Sequence, residues 1–265
     1  MEKFEIAIIF LFLLFVSFYF LGIEKSIKTI FSDIFFFSLA FAASYFCFSN
    51  YKKFGKSLEG KTWFLLGAGV FFWGLGELIW AYYEIIKEVY PFPSFADFFY
   101  IIGYFPMILA TFYYFSYIKF PFKIRKIYLA ALVSIIYGLL SLFFVLLPLA
   151  TSNLSLLEKS ILIAYPVLDV YLIFSALLLV EAFRGGALSR VWFIISLAFL
   201  FTGIADTLFS YFSWNGLYEL GPPYSYIDFL WIGGYLCFIH ASIYERTSIE
   251  EIAKRIKKES KRFIY

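Results

Sequence analysis

The sequence predicts an all-α, polytopic membrane protein with eight transmembrane helices arranged as two parallel four-helix repeats. Three observations lead there. Of the 265 residues, 63% are hydrophobic and 25% aromatic, more apolar surface than a soluble domain of this length can hide. Apolar runs of about 20 residues recur between charged segments, the length at which a helix matches the hydrocarbon core of a bilayer. The phrase PSFADFFYIIGY (Pro93–Tyr104) also returns as YSYIDFLWIGGY (Tyr224–Tyr235). The strand-like alternation that an outer-membrane barrel needs is absent.

Apolar runs read against charged punctuation place the spans at 4–23, 28–49, 62–83, 94–117, 125–148, 160–182, 190–212 and 224–244. The first run is long for a signal peptide and lacks a small-residue cleavage site, so it is read as a retained helix. Lysines and arginines sort to one side. Lys52, Lys53, Lys56 and Lys61 follow the second span, Lys119, Lys123, Arg125 and Lys126 the fourth, and Arg184 and Arg190 the sixth. Lys254, Arg255, Lys257, Lys258, Lys261 and Arg262 follow the last. The positive-inside rule then puts the chain in the cell membrane with both termini in the cytoplasm, though Lys25 and Lys28 in the first external loop dilute the signal. Cys47 and Cys237 fall inside apolar helices, which argues against a structural disulfide, and no metal-ligand spacing exists. The single histidine, His240, reads as a packing residue near the end of the last span. Asn153-Leu154-Ser155 matches a glycosylation sequon by a pattern too short to carry weight.

The repeat extends beyond its two phrases. Trp63-Phe64 and Trp192-Phe193 each open a span, and fourteen residues after each Trp stands an acid, Glu77 or Asp206. Gly74 and Gly203 precede these acids by three; Trp80 and Phe209 follow by three, and Tyr82 and Tyr211 by five. Proline loops come next, then Asp97 and Asp228, with Tyr104 and Tyr235 seven residues further on. Upstream, Asp33-Ile34-Phe35-Phe36 aligns with Asp169-Val170-Tyr171-Leu172. The expected organisation is residues 1–120 and 121–244 as two four-helix units, then 245–265 as a basic amphipathic cytoplasmic tail helix. Four spans per unit is an even number, so both units enter the membrane in the same direction, about a pseudo-twofold axis along its normal.

On this topology the acids Asp33, Glu77, Asp97, Asp169, Asp206 and Asp228 all fall in the outer half of the membrane, roughly 5 to 14 Å below its outer boundary. No basic residue is expected at comparable depth. A carboxylate within a span costs about 2.5–3.5 kcal/mol on insertion scales, so six of them facing lipid are untenable. They are expected to turn inward to a polar cavity, with Tyr82, Tyr104, Tyr165, Tyr211 and Tyr235 as hydroxyl donors. Trp73, Glu77, Trp80 and Glu84 share one helical face and make a candidate pocket wall, and Pro166 opens the backbone three residues before Asp169. A purely structural role stays open for Asp97 and Asp228, as first-turn acids complementing a helix dipole.

Catalytic readings are weaker. Gly74-Leu75-Gly76-Glu77 resembles the GxGD of intramembrane aspartyl proteases, but Glu replaces Asp and the Tyr-Asp partner motif is missing. Lysoplasmalogenase-type membrane hydrolases share the helix number and the buried acids. No nucleotide loop, Ser-His-Asp set or cofactor-binding signature is evident, so no catalytic residue and no cofactor is assigned. The runs GELIWAYYE (Gly76–Glu84), PFPSFADFFYIIGY (Pro91–Tyr104) and YPVLD (Tyr165–Asp169) resemble the polytopic membrane region that precedes some archaeal and bacterial diguanylate cyclases and PAS-containing histidine kinases. That resemblance implies a sensory or ligand-binding module. About 20 residues follow the last span, too few for a kinase or cyclase, so a signal would pass to a separate protein. Ser248 and Glu251 read as a capping box opening a tail helix with Ile249, Ile252, Ile256 and Phe263 on one face. The expected partners are the lipid bilayer, a signalling protein and a small ligand or cation, with no nucleic acid. A proton- or cation-coupled transporter is the alternative, and a membrane hydrolase the third reading.

Overall fold

The computed structural model describes residues 2–117, 124–183, 185 and 187–262, and all regular structure among them is helical. The elements are α1 (Glu2–Tyr19), α2 (Lys25–Phe54), α3 (Leu58–Ala81), α4 (Phe95–Tyr117), α5 (Ile124–Ser141), α6 (Leu147–Ala150), α7 (Leu156–Ala182), α8 (Ala187–Trp214) and α9 (Asp228–Arg262). α3 runs on through a π-helical turn, Tyr82–Ile86, and a second π turn, Leu142–Leu146, joins α5 to α6 in one rod. Among the described residues seven helices are long and apolar enough to cross a membrane, and α1 contributes a shorter apolar helix, Phe4–Tyr19. The protein is therefore a polytopic membrane protein.

Several boundaries differ from the sequence reading. α1 stops at Tyr19 rather than 23, and α2 starts three residues early, at Lys25. The expected tail helix is not a separate element. α9 continues without a break from Asp228 to Arg262, so Ser248 and Glu251 sit in mid-helix and cap nothing. Side-chain placement at Ile252 and Ile256, and all of Phe263, lie outside the described residues, as do Lys119, Lys123 and Arg184. The sequon serine caps a helix instead. Ser155 accepts from the Glu158 N–H while the Glu158 carboxylate accepts from the Ser155 N–H, the reciprocal pair that opens α7.

Two three-helix sheaves form the body. α2, α3 and α4 pack together, as do α7, α8 and α9, and the sheaves meet where α2 lies on α9 and α4 on α7. The outer helices are placed differently: α5 lies along α7, whereas α1 leans on α9. Large apolar side chains point outward in helical stripes, Phe98, Phe105, Leu109 and Phe112 on α4 and Leu132, Ile135, Ile136 and Leu139 on α5. Such surfaces suit lipid rather than water.

Lipid tails are as apolar as leucine, so helices in a membrane adhere by close packing rather than by hydrophobic exclusion. α3 and α4 meet this need with glycine. A Cβ on Gly103 would lie 2.4 Å from Trp73 Cδ1 and 2.8 Å from the Gly69 carbonyl oxygen. In the other sheaf, a Cβ on Gly234 would meet Thr202 Oγ1 at 2.9 Å and the Ala198 carbonyl oxygen at 3.4 Å. Gly103→Ala should therefore destabilise by about 1–3 kcal/mol, and Gly234→Ala by less, which thermal unfolding in detergent will rank.

Candidate functional site

At the end of the bundle where α2, α4 and α9 begin, the helices enclose a cavity of about 670 Å³. Most elements that turn at this end contribute a wall, the α5–α6 rod being an exception. α2 brings Asp33, α3 brings Trp73, Glu77 and Trp80, and the π turn brings Glu84. α4 brings Asp97, Tyr100 and Tyr104, α7 brings Tyr165, α8 brings Asp206 and Phe209, and α9 brings Asp228, Trp231 and Tyr235. Among the described residues eight carboxylic side chains and two lysines line this space. A π turn adds a residue to the helical repeat and so rotates the side chains beyond it. Glu84, within this turn, lines the cavity and accepts from the Trp80 indole N–H at 2.9 Å, while Tyr82 is 46% exposed.

The buried acids are held by neutral donors. Glu77 accepts from the hydroxyls of Tyr235 at 2.7 Å and Tyr100 at 3.0 Å. Asp206 accepts from the Tyr104 hydroxyl at 2.6 Å and the Trp231 indole at 2.6 Å. Asp169 lies behind Tyr104 rather than on the cavity wall, accepting from its hydroxyl at 2.8 Å and from Tyr137 at 3.4 Å. Asp97 takes the Tyr165 hydroxyl and the Ser94 N–H, both at 2.7 Å. Asp228 takes Tyr19 at 2.7 Å and Tyr218 at 2.8 Å. In the α8–α9 loop, burial first and then the charge of Asp228 push the Tyr218 hydroxyl well above its usual range, so it stays a donor. Tyr104 owns one hydroxyl proton yet bridges two carboxyl groups. Both contacts are satisfied when a further proton resides on one of the two acids and points back at the phenol oxygen.

Asp33 breaks the pattern. It lines the cavity, is 7% exposed and accepts no hydrogen bond; its Oδ2 is buried without a partner. Ser225, also on the cavity wall and 7% exposed, likewise has an unpartnered Oγ.

Of the residues singled out from the sequence, the cavity gathers Asp33, Glu77, Asp97, Asp206, Asp228, Trp80, Tyr104, Tyr165 and Tyr235. Tyr82 and Tyr211 face outward at 46% and 36% exposure and donate to none of these acids. The early start of α2 puts Lys25 and Lys28 on the cavity wall in its first turn, eight and five residues before Asp33. Lys28 donates to the Tyr19 carbonyl oxygen at 3.0 Å, and neither lysine forms an ion pair with the acids. Sequence reasoning missed Tyr100 and Trp231, which were legible because each stands three residues after the aspartate of its phrase. Tyr19 and Tyr218 lie outside any repeated pattern and carried no signal.

At the opposite end a second polar cluster ties α9 to the other sheaf. The Trp63 indole N–H donates to the buried Glu245 carboxylate. Asn50 donates to the Ser242 carbonyl oxygen at 2.9 Å, Ser242 to the Phe46 carbonyl oxygen at 2.8 Å, and Lys53 to Glu250 at 2.5 Å. His240 Nε2 sits 3.7 Å from the Glu5 carboxylate of α1. Among the described residues no group of three or more His, Cys, Asp or Glu is placed to hold a metal ion. Compared with models of protein families, with curated proteins and with solved structures, the chain matches none.

Proposed function

We propose that this chain is a sensor-like membrane module of eight spans that binds a small ligand in an outward-facing acidic cavity and signals through a separate partner. The observation that carries this reading is the cavity itself. It has the volume of a small-molecule site, aromatic walls and converging polar groups. α9 supports the signalling part. One unbroken helix carries Asp228, Trp231 and Tyr235 on the cavity wall and Glu245 and Glu250 in the cluster at the other end. A ligand that shifts the upper part of such a rod moves its lower part too. The orientation rests on Lys52, Lys53 and Lys56 lying at the end away from the cavity, the side the positive-inside rule assigns to the cytoplasm.

The repeat belongs to the same proposal. Equivalent positions make reciprocal contacts across the two halves. Tyr104 of the first half reaches Asp206 of the second, and Tyr235 of the second reaches Glu77 of the first. Tyr100 and Trp231, also equivalent, each donate to the acid of their own half. Trp63 bonds Glu245, while its counterpart Trp192 meets the ring of Tyr114, the counterpart of Glu245. Reciprocity of this kind is what a pseudo-twofold axis along the membrane normal produces. It also favours the second reading, a proton- or cation-coupled carrier, because carriers place their sites between such halves.

Native mass spectrometry of the tagged chain, gently extracted from its own host's membranes, separates the two. The sensor reading expects a signalling protein in fixed stoichiometry. A chain that emerges without one, and that in liposomes takes up a cation in a manner abolished by Asp206→Asn, would overturn it in favour of the carrier.

A further inference from the structure

Resting on the reading of this cavity as a ligand site, we propose that its occupant is an organic ammonium ion, whose charge pairs with Asp33 and whose body lies against the aromatic wall. The sign of the ligand follows from the lining. Eight carboxylic groups face two lysines across about 670 Å³, and a cleft of one charge sign concentrates the opposite ion. The position of its charge follows from the hydrogen bonds. Glu77, Asp97, Asp206 and Asp228 already have both oxygens engaged by tyrosine, tryptophan or backbone donors. Asp33 is the buried wall carboxylate with no donor, and Ser225 offers a second unpartnered oxygen.

The symmetry-related acid shows what Asp33 lacks. Asp169 is satisfied by Tyr104 of the other half and by Tyr137 of α5, which lies along α7. On the Asp33 side the corresponding tyrosine, Tyr235, goes to Glu77, and α1 leans on α9 so that its Tyr19 reaches Asp228 instead. The departure of α1 from the twofold arrangement leaves Asp33 without a donor, while the other buried carboxylates of the wall, Asp97, Asp206 and Asp228, have both oxygens engaged.

The body of the ligand follows from the rings. Trp80, Phe209, Tyr218 and Trp231 form a contiguous wall, with centroids 5.9 Å apart for Trp80–Phe209, 5.1 Å for Phe209–Tyr218 and 5.8 Å for Phe209–Trp231. Phe36, one turn after Asp33, joins it through Trp231 at 6.5 Å. Aromatic faces attract desolvated cations, and alkylated ammonium ions are held this way. A calcium or magnesium ion instead needs six or more oxygens converging on one point. The committed carboxylates do not converge in that way.

Thiol labelling tests this directly. Thr29, one turn before Asp33 on the cavity wall, is changed to Cys in a chain whose Cys47 and Cys237 are replaced by Ala. Membrane-impermeant methanethiosulfonates are applied from outside, one carrying trimethylammonium and one sulfonate, each rate being divided by that reagent's rate with free 2-mercaptoethanol. The expected result is labelling about tenfold or more faster by the cationic reagent, protection by benzyltrimethylammonium but not by calcium, and loss of that protection with Asp33→Asn. Asp33→Asn is nearly isosteric and removes no hydrogen bond, so folding should survive; Trp80→Ala should weaken protection independently. Equal normalised rates, protection by calcium, or protection unchanged by Asp33→Asn would overturn the ammonium assignment while leaving an open cavity. Failure of both reagents to label would instead overturn the outward-facing cavity on which it rests.

Discussion

Tyr104→Phe should destabilise the protein more than removal of any other single hydroxyl on the cavity wall, by about 2–4 kcal/mol. Tyr104 is 1% exposed and is the group through which Asp169 and Asp206 share a donor. The mutation leaves the ring and removes only the oxygen, so two buried carboxyl groups face each other with the bridge gone. The loss exceeds that of an ordinary membrane hydrogen bond, which averages about 0.6 kcal/mol, because here the groups left behind are acids. Tyr235→Phe should cost less, since Glu77 keeps the Tyr100 hydroxyl. Thermal unfolding in detergent, followed by near-ultraviolet circular dichroism, gives the ranking. Equal midpoints for the two variants would count against a bridging role for Tyr104.

Trp63→Ala should be the most damaging change at the opposite end, costing about 3–5 kcal/mol for the lost ring alone. Trp63 is 3% exposed and its indole N–H is the donor to Glu245, itself 3% exposed. Truncation therefore opens a void and strands a buried acid. Trp192→Ala removes an equally buried ring, 2% exposed, whose partner is the edge of Tyr114 at 5.1 Å rather than a carboxylate. It should cost less than Trp63→Ala. Adding Glu245→Gln to Trp63→Ala should recover stability, because the stranded charge is gone, whereas adding it to the wild-type chain should not. A double variant no more stable than Trp63→Ala would show that the contact is packing alone.

The class of the fold was legible because a bilayer constrains length and polarity so strongly. Span after span fell within a few residues of a helix. Two of the boundaries slipped where charged residues belong to helices: Lys25 and Lys28 open α2, and Ser248 to Arg262 prolong α9. The acids Glu77, Asp97, Asp206 and Asp228 were found because the sequence states them twice at fixed offsets. Their donors were only half legible. Repeated tyrosines are as frequent on the lipid face as in the interior, and a helical offset of five residues, as at Tyr82 and Tyr211, turns the side chain away from the acid it follows. What no repeat could reveal is its own breach. Asp33 and Asp169 read as equivalent, yet α5 supplies a hydroxyl to one and α1 supplies none to the other. That difference depends on where two outer helices lean, a property of packing that the local sequence does not encode.

The orientation of the cavity decides between a site open to the outside and one open to the cytoplasm, and cysteine accessibility in intact cells measures it. Val89 lines the cavity and is 50% exposed; Lys56 is exposed in the loop at the other end. Each is changed to Cys in the chain lacking Cys47 and Cys237, and the cells are treated with an impermeant maleimide before and after permeabilisation. Val89→Cys should react in intact cells and Lys56→Cys only after permeabilisation. The reverse pattern would put the acidic cavity in the cytoplasm and contradict an outward-facing ligand site.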